Sequence, residues 1–157
     1  MWPGGSGTAF KDANFLNFRG LKKIMIKNTY EKVFTPEVLQ ELFPESRADQ
    51  FFDALYGDPE EGAYDISLKF TRQTENALVF EFHLTRRPGK CLRCSLTYGL
   101  PQVFSRHPVI DVKGLMKKID QRLAGQARCR DWKIGETVEV SDALHLIPLT
   151  VFLEPVA

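Results

Sequence analysis

Cys91 and Cys94 stand in a C-x-x-C arrangement, and Cys129 with His107 supplies the side chains that would complete a four-ligand zinc site. A zinc ribbon ordinarily carries a second closely spaced pair, and only one further cysteine follows here. On a strand, two residues three apart point to opposite faces, so Cys91 and Cys94 cannot share an ion unless the turn after Gly89 folds Cys91 back. A thiol-exchange pair would sit at a helix N-terminus, whereas Ser95 to Tyr98 reads as strand. The expectation is therefore no bound metal and no cofactor, reduced thiols, and Cys94 as a small core residue.

Arg86, Arg87, Lys90 and Arg93 crowd one turn, and Arg106 with His107 follows in the next loop. Guanidinium forks donate to phosphates and carboxylates bidentately, and a nearby imidazole can donate as well. This corner is the candidate binding site, for an anionic ligand or an acidic protein surface. His83, His107 and His145 are the general-base candidates, but neither His83 nor His145 has a Ser or Cys nucleophile and an acid at a recognisable local spacing. Glu60 and Glu61 read as a solvated turn, because nothing apolar beside them would raise one carboxyl.

Charge is segregated along the chain. Residues 31–65 carry ten acidic side chains against Lys32 and Arg47, and residues 83–133 carry twelve basic ones against Asp111, Asp120 and Asp131. Two such halves either screen one another across the fold or leave the basic half for a partner, and the internal pairing is the favoured reading.

The elements that must position these groups follow from periodicity. Tyr64, Ile66, Leu68 and Phe70 alternate with polar residues, as do Leu78, Phe80, Phe82 and Leu84, and then Leu92, Cys94, Leu96 and Tyr98. Period two with short linkers predicts a three-strand antiparallel meander over 63–100 with one apolar face. Thr35-Pro36-Glu37 is a helix start, and Val38, Leu39, Leu42 and Phe43 form a helical stripe, so helices are expected at 35–43 and at 46–56, the second with Ser46 and Asp49 in a capping-box position. Residues 100–108, with two prolines, read as a connecting loop. Asp111 caps a helix over 111–124 whose Val112, Leu115, Met116, Ile119 and Leu123 share a face. One or two C-terminal strands complete the sheet, with Pro148 demoting the middle of the last run to an edge or bulge. The fold class is thus α+β, an antiparallel sheet covered on one face by helices 35–43, 46–56 and 111–124.

Residues 1–25 read as a flexible leader, with Met25 a natural start, and 26–157 as a single domain. With 157 residues, 43% hydrophobic and 26% charged, one core can form without a staple. No apolar run reaches the roughly 20 residues of a membrane-spanning helix. The absence of a secretory pattern points to a soluble cytoplasmic protein of unknown oligomeric state. The element order is similar to that of double-stranded-RNA-binding domains in topology alone. Their Lys-rich helix start is missing, and the sheet aromatics Phe80, Phe82 and Tyr98 are expected on the apolar side, so nucleic acid is not an expected partner. The functional expectation is a small binding domain. Two alternatives stand beside it: a helix-grip-like carrier of an apolar ligand or lipid, lined by Phe, and an enzyme using His107 or a cysteine.

Overall fold

A computed structural model describes residues 30–155; the leader expected over residues 1–25 lies outside them. After a helical turn at residues 30–33, the elements in chain order are α1 (Pro36–Leu42), α2 (Ser46–Tyr56), β1 (Tyr64–Gln73), β2 (Ala77–Arg86), α3 (Leu100–Arg106), α4 (Val112–Leu123), β3 (Ala127–Ile134), β4 (Val138–Ser141) and β5 (Leu144–Pro155). The fold is α+β, with a five-stranded antiparallel sheet packed against helices.

Local chemistry sets the helix ends. The Thr35 hydroxyl accepts from the Val38 N–H at 3.3 Å, with Pro36 in the first turn, and the Asp111 carboxylate accepts from the Gly114 N–H at 3.1 Å. Gly57 closes α2 in the left-handed conformation, φ 78°, where glycine has no Cβ penalty. Ser46 does not cap α2. Glu45 occupies that place with helical backbone angles and no side-chain cap bond, while Asp49 turns outward to an arginine.

In the sheet, β1 and β2 pair from Tyr64↔Arg86 to Gln73↔Leu78, and β5 runs along the other side of β2 from Ala77↔Phe152 to Thr85↔Leu144. Ile66, Leu68, Leu78, Phe80, Phe82, Leu84, Ile147, Leu149 and Val151 are buried on one face, as period two demands. They share one core with Leu39, Leu42, Phe51, Phe52, Phe104, Ile119 and Leu123 from the helices. Aromatic rings fill this layer edge to face: Phe34 on Phe80 at 5.2 Å, Phe43 on Phe82 at 5.3 Å, and Phe104 on both Phe82 at 5.4 Å and Phe51 at 5.5 Å.

Three further local expectations fail, each for a physical reason. Residues 92–98 are not a third meander strand but two tight 3₁₀ turns, Arg93–Ser95 and Thr97–Gly99. A disulfide between Cys91 and Cys94 closes the first turn, and the Ser95 hydroxyl donates to the Cys91 carbonyl at 2.7 Å. The strand position beside β2 goes to β5, whose alternation over 145–153 is longer and more apolar. Tyr98, expected on the apolar side, is 65% exposed. Residues 100–108 hold a helix, α3, because Pro101 lies in its first turn, where the missing N–H costs nothing, and Leu100 and Phe104 bury together one turn apart.

Third, the C-terminal region forms three strands, and Pro148 lies inside an interior one, opposite Glu81. The Pro148 carbonyl accepts from the Gly135 N–H at 2.9 Å, so its nitrogen faces the same side. On that side β3 pairing stops at Ile134↔Leu149 and β4 pairing starts at Val138↔Leu146. The ring therefore occupies the one gap where no ladder bond is asked of it.

Candidate functional site

The predicted cationic corner separates into residues used by the fold and residues left over. Arg87, whose side chain is 17% exposed, reaches Asp49 at 2.7 Å and Asp65 at 3.0 Å, donates to the Pro59 carbonyl at 2.9 Å, and lies over the Phe52 ring. It clamps α2, the turn at Pro59–Glu61 and the start of β1. Arg93 donates to Glu139 at 2.9 Å through Nε and lies 3.5 Å from Asp142. The acidic and basic halves meet through Arg87 with Asp49 and Asp65, and through Arg122 with Glu41. Arg86, Lys90 and Arg106 are exposed and form no ion pair among the described residues.

Arg106 and His107 end α3. With Gln102, Val103 and Pro108 they line an open depression of about 380 Å³. His107 Nδ1 accepts from the Val109 N–H at 3.2 Å, and the ring packs 4.8 Å from Phe51. Burial lowers its pKa below the ordinary value, which keeps it neutral and its acceptor free for that bond. The depression thus offers a cation without an ion pair among the described residues, together with amide and imidazole polar groups beside two apolar side chains.

The thiols lie apart from the roles expected for them. Cys91 and Cys94 are joined to each other, three residues apart with Cα atoms 5.3 Å apart, and both are exposed, so neither is reduced and Cys94 is not in the core. Cys129 is half buried on β3, where burial and the neighbouring Asp120 carboxylate push its thiol up to about 12. Among the described residues no group of three or more His, Cys, Asp or Glu is placed to hold a metal ion. Cys91, Cys94, Cys129 and His107 do not converge.

A different polar cluster was not visible in the sequence. Thr97, Thr137 and His145 are the buried polar residues among the described ones, and Thr97 bonds to each of the other two. His145 Nδ1 is 2.6 Å from Thr97 Oγ1, and the Thr137 hydroxyl donates to the Thr97 carbonyl at 2.7 Å. His145 Nε2 has no hydrogen-bond partner among the described residues and lies 4.0 Å from Glu139 Oε2. Glu139 also accepts from Arg93 and from the Tyr98 hydroxyl at 3.2 Å. The hydrogen bond from Arg93 holds the Glu139 carboxyl below its ordinary pKa, and the hydrogen bond to Glu139 raises that of Tyr98. A hydroxyl, an imidazole and a carboxylate in line resemble an acyl-transfer triad. Thr97 is fully buried, however, so no substrate reaches its oxygen, and the cluster serves to dock the 91–99 loop onto the β4–β5 hairpin. Its one sequence trace is the register partner pair Glu139 and His145, which becomes a pair only once β4 lies against β5.

Comparison of the chain with protein-family models, with curated proteins and with solved structures finds no match. Among the described residues no helix is long and apolar enough to cross a membrane.

Proposed function

We propose that this chain is a binding domain that takes up an anionic group, borne by a small ligand or by an acidic protein surface, at the α3 rim. The observation that carries this reading is Arg106. It is the cation of the predicted corner that lines a depression without an ion pair to any described residue, beside Gln102 and His107, which bring further polar atoms. A guanidinium there donates to a carboxylate or phosphate without first giving up a structural partner, as Arg87 and Arg93 would have to. Val103 and Pro108 give the adjoining part of the ligand an apolar seat. The apolar-carrier alternative has less support, since Phe rings packed edge to face occupy the layer between sheet and helices. A cytoplasmic location belongs to the same reading.

Titration of the labelled protein with inorganic phosphate and with a Glu-rich peptide, followed by amide shifts, tests it. The expected result is saturable shifts over residues 102–108 that vanish in Arg106→Glu and persist in the charge-matched Lys69→Glu. Equal loss in both variants, or no shift at all, would overturn the reading.

A further inference from the structure

We propose that Cys91 and Cys94 form a thiol–disulfide exchange site for small-molecule disulfides, with Cys91 as the attacking thiol and Cys94 as the resolving one. Both residues are exposed, and the bond between them closes a single turn at three-residue spacing. A loop so short constrains the unfolded chain little, so the bond contributes less to stability than one closing a long loop. The two sulfurs differ in one respect. The Cys94 backbone N–H points at Cys91 Sγ, 3.1 Å away, and supports negative charge on that sulfur once the bond is opened. Lys90, exposed and without an ion pair among the described residues, immediately precedes Cys91 and adds a positive neighbour. Fully buried Leu92, between the cysteines, and the Ser95 hydroxyl on the Cys91 carbonyl hold the turn in place, so the reduced pair stays side by side.

The exchange balances with a disulfide RS–SR as co-reactant. The Cys91 thiolate attacks one sulfur of RS–SR, forming the mixed disulfide with Cys91 and releasing one RS⁻. The Cys94 thiol then loses its proton and attacks Cys91 Sγ, which reforms the Cys91–Cys94 bond and releases the second RS⁻. The two thiolates take up the two protons given by the cysteines. The protein is oxidised by two electrons and RS–SR is reduced to two RSH.

The test uses the reduced full-length chain with oxidised glutathione at neutral pH, acid quenching and peptide mass mapping. The wild type is expected to regain the Cys91–Cys94 bond and release two glutathiones with no lasting adduct. Cys94→Ser is expected to retain one glutathione on Cys91, formed about tenfold faster than the adduct on Cys94 in Cys91→Ser, as the charge-stabilised thiol requires. Equal rates, a lasting adduct on the wild type, or no reaction would each overturn the proposal. Limited alkylation of the reduced wild type with iodoacetamide gives the same answer without any variant: Cys91 labels before Cys94, and equal or reversed labelling refutes the assignment. Cys129, half buried with its thiol pushed up to about 12, is the unreactive reference within the same chain.

Discussion

Thr97 Oγ1 and His145 Nδ1 lie 2.6 Å apart, both side chains wholly out of contact with solvent, and this one bond ties the turn after the disulfide to the first residues of the longest strand. Leaving one member of a buried pair without its partner costs about 1–3 kcal/mol, more than the bond itself contributes. Thr97→Val is therefore expected to lower stability by that amount, because His145 already has one ring nitrogen without a hydrogen bond among the described residues and then loses the partner of the other. Urea melts of Thr97→Val, His145→Leu and the double variant check it. The double variant is expected to lose less than the two singles together, and strict additivity would mean that the bond contributes nothing.

Arg87 is expected to behave as a structural clamp rather than a ligand-binding cation. Its guanidinium has its contacts distributed over Asp49, Asp65 and the Pro59 carbonyl, three directions that only a planar fork reaches together. Arg87→Ala is expected to destabilise by about 2–3 kcal/mol, in the range for hydrogen bonds to charged groups, with little rescue by Arg87→Lys. Thermal melts provide the measure. A stable Arg87→Ala protein with altered phosphate shifts would return Arg87 to the binding surface.

Gly62 owes its identity to space. A Cβ built there would lie 2.5 Å from Phe52 Cγ and Cε2, inside the aromatic core. Phe52 is itself held against Tyr64 at 4.8 Å and cannot swing clear. Gly62→Ala is expected to cost about 1–3 kcal/mol through overpacking, whereas Gly99→Ala, with nothing near its Cβ, stays close to the wild type. Chemical denaturation of the two variants side by side decides it.

Glu139 gives the molecule an acid limb. Arg93 holds its carboxyl below the ordinary value of 4.5, so the folded state binds this proton less readily than the unfolded chain. The resulting stabilisation is complete above pH 4.5 and is lost as the pH falls through the lower folded value. Glu139→Gln is expected to flatten the acid side of the stability curve and leave its slope near neutrality unchanged. Urea midpoints measured from pH 7 down to pH 3 would show this, and parallel curves for variant and wild type would exclude it.

The alternation of Tyr64 to Phe70 and of Leu78 to Leu84, the Thr35 and Asp111 caps and the stripe of α4 are set by neighbours within a few residues, and all were legible. The apolar repeat from Leu92 to Tyr98 was equally regular and misled, because a strand needs a partner and β5, more than forty residues further on, competed for the same edge of β2. The proline of α3 marks a loop by composition alone, but its place in the first turn makes it part of a helix start.

What the amino-acid order determines by itself, then, is which segments have an apolar side, where helices begin, and that acid and base are sorted into separate halves. Only the folded chain decides that Arg87 is spent on Asp49 and Asp65 while Arg106 stays open, that Cys91 meets Cys94, and that Thr97, Thr137, His145 and Glu139 share one place. Periodicity is a local property of a chain, but a contact between residues 48 positions apart depends on which strand wins the edge beside β2, and that is a competition among distant segments.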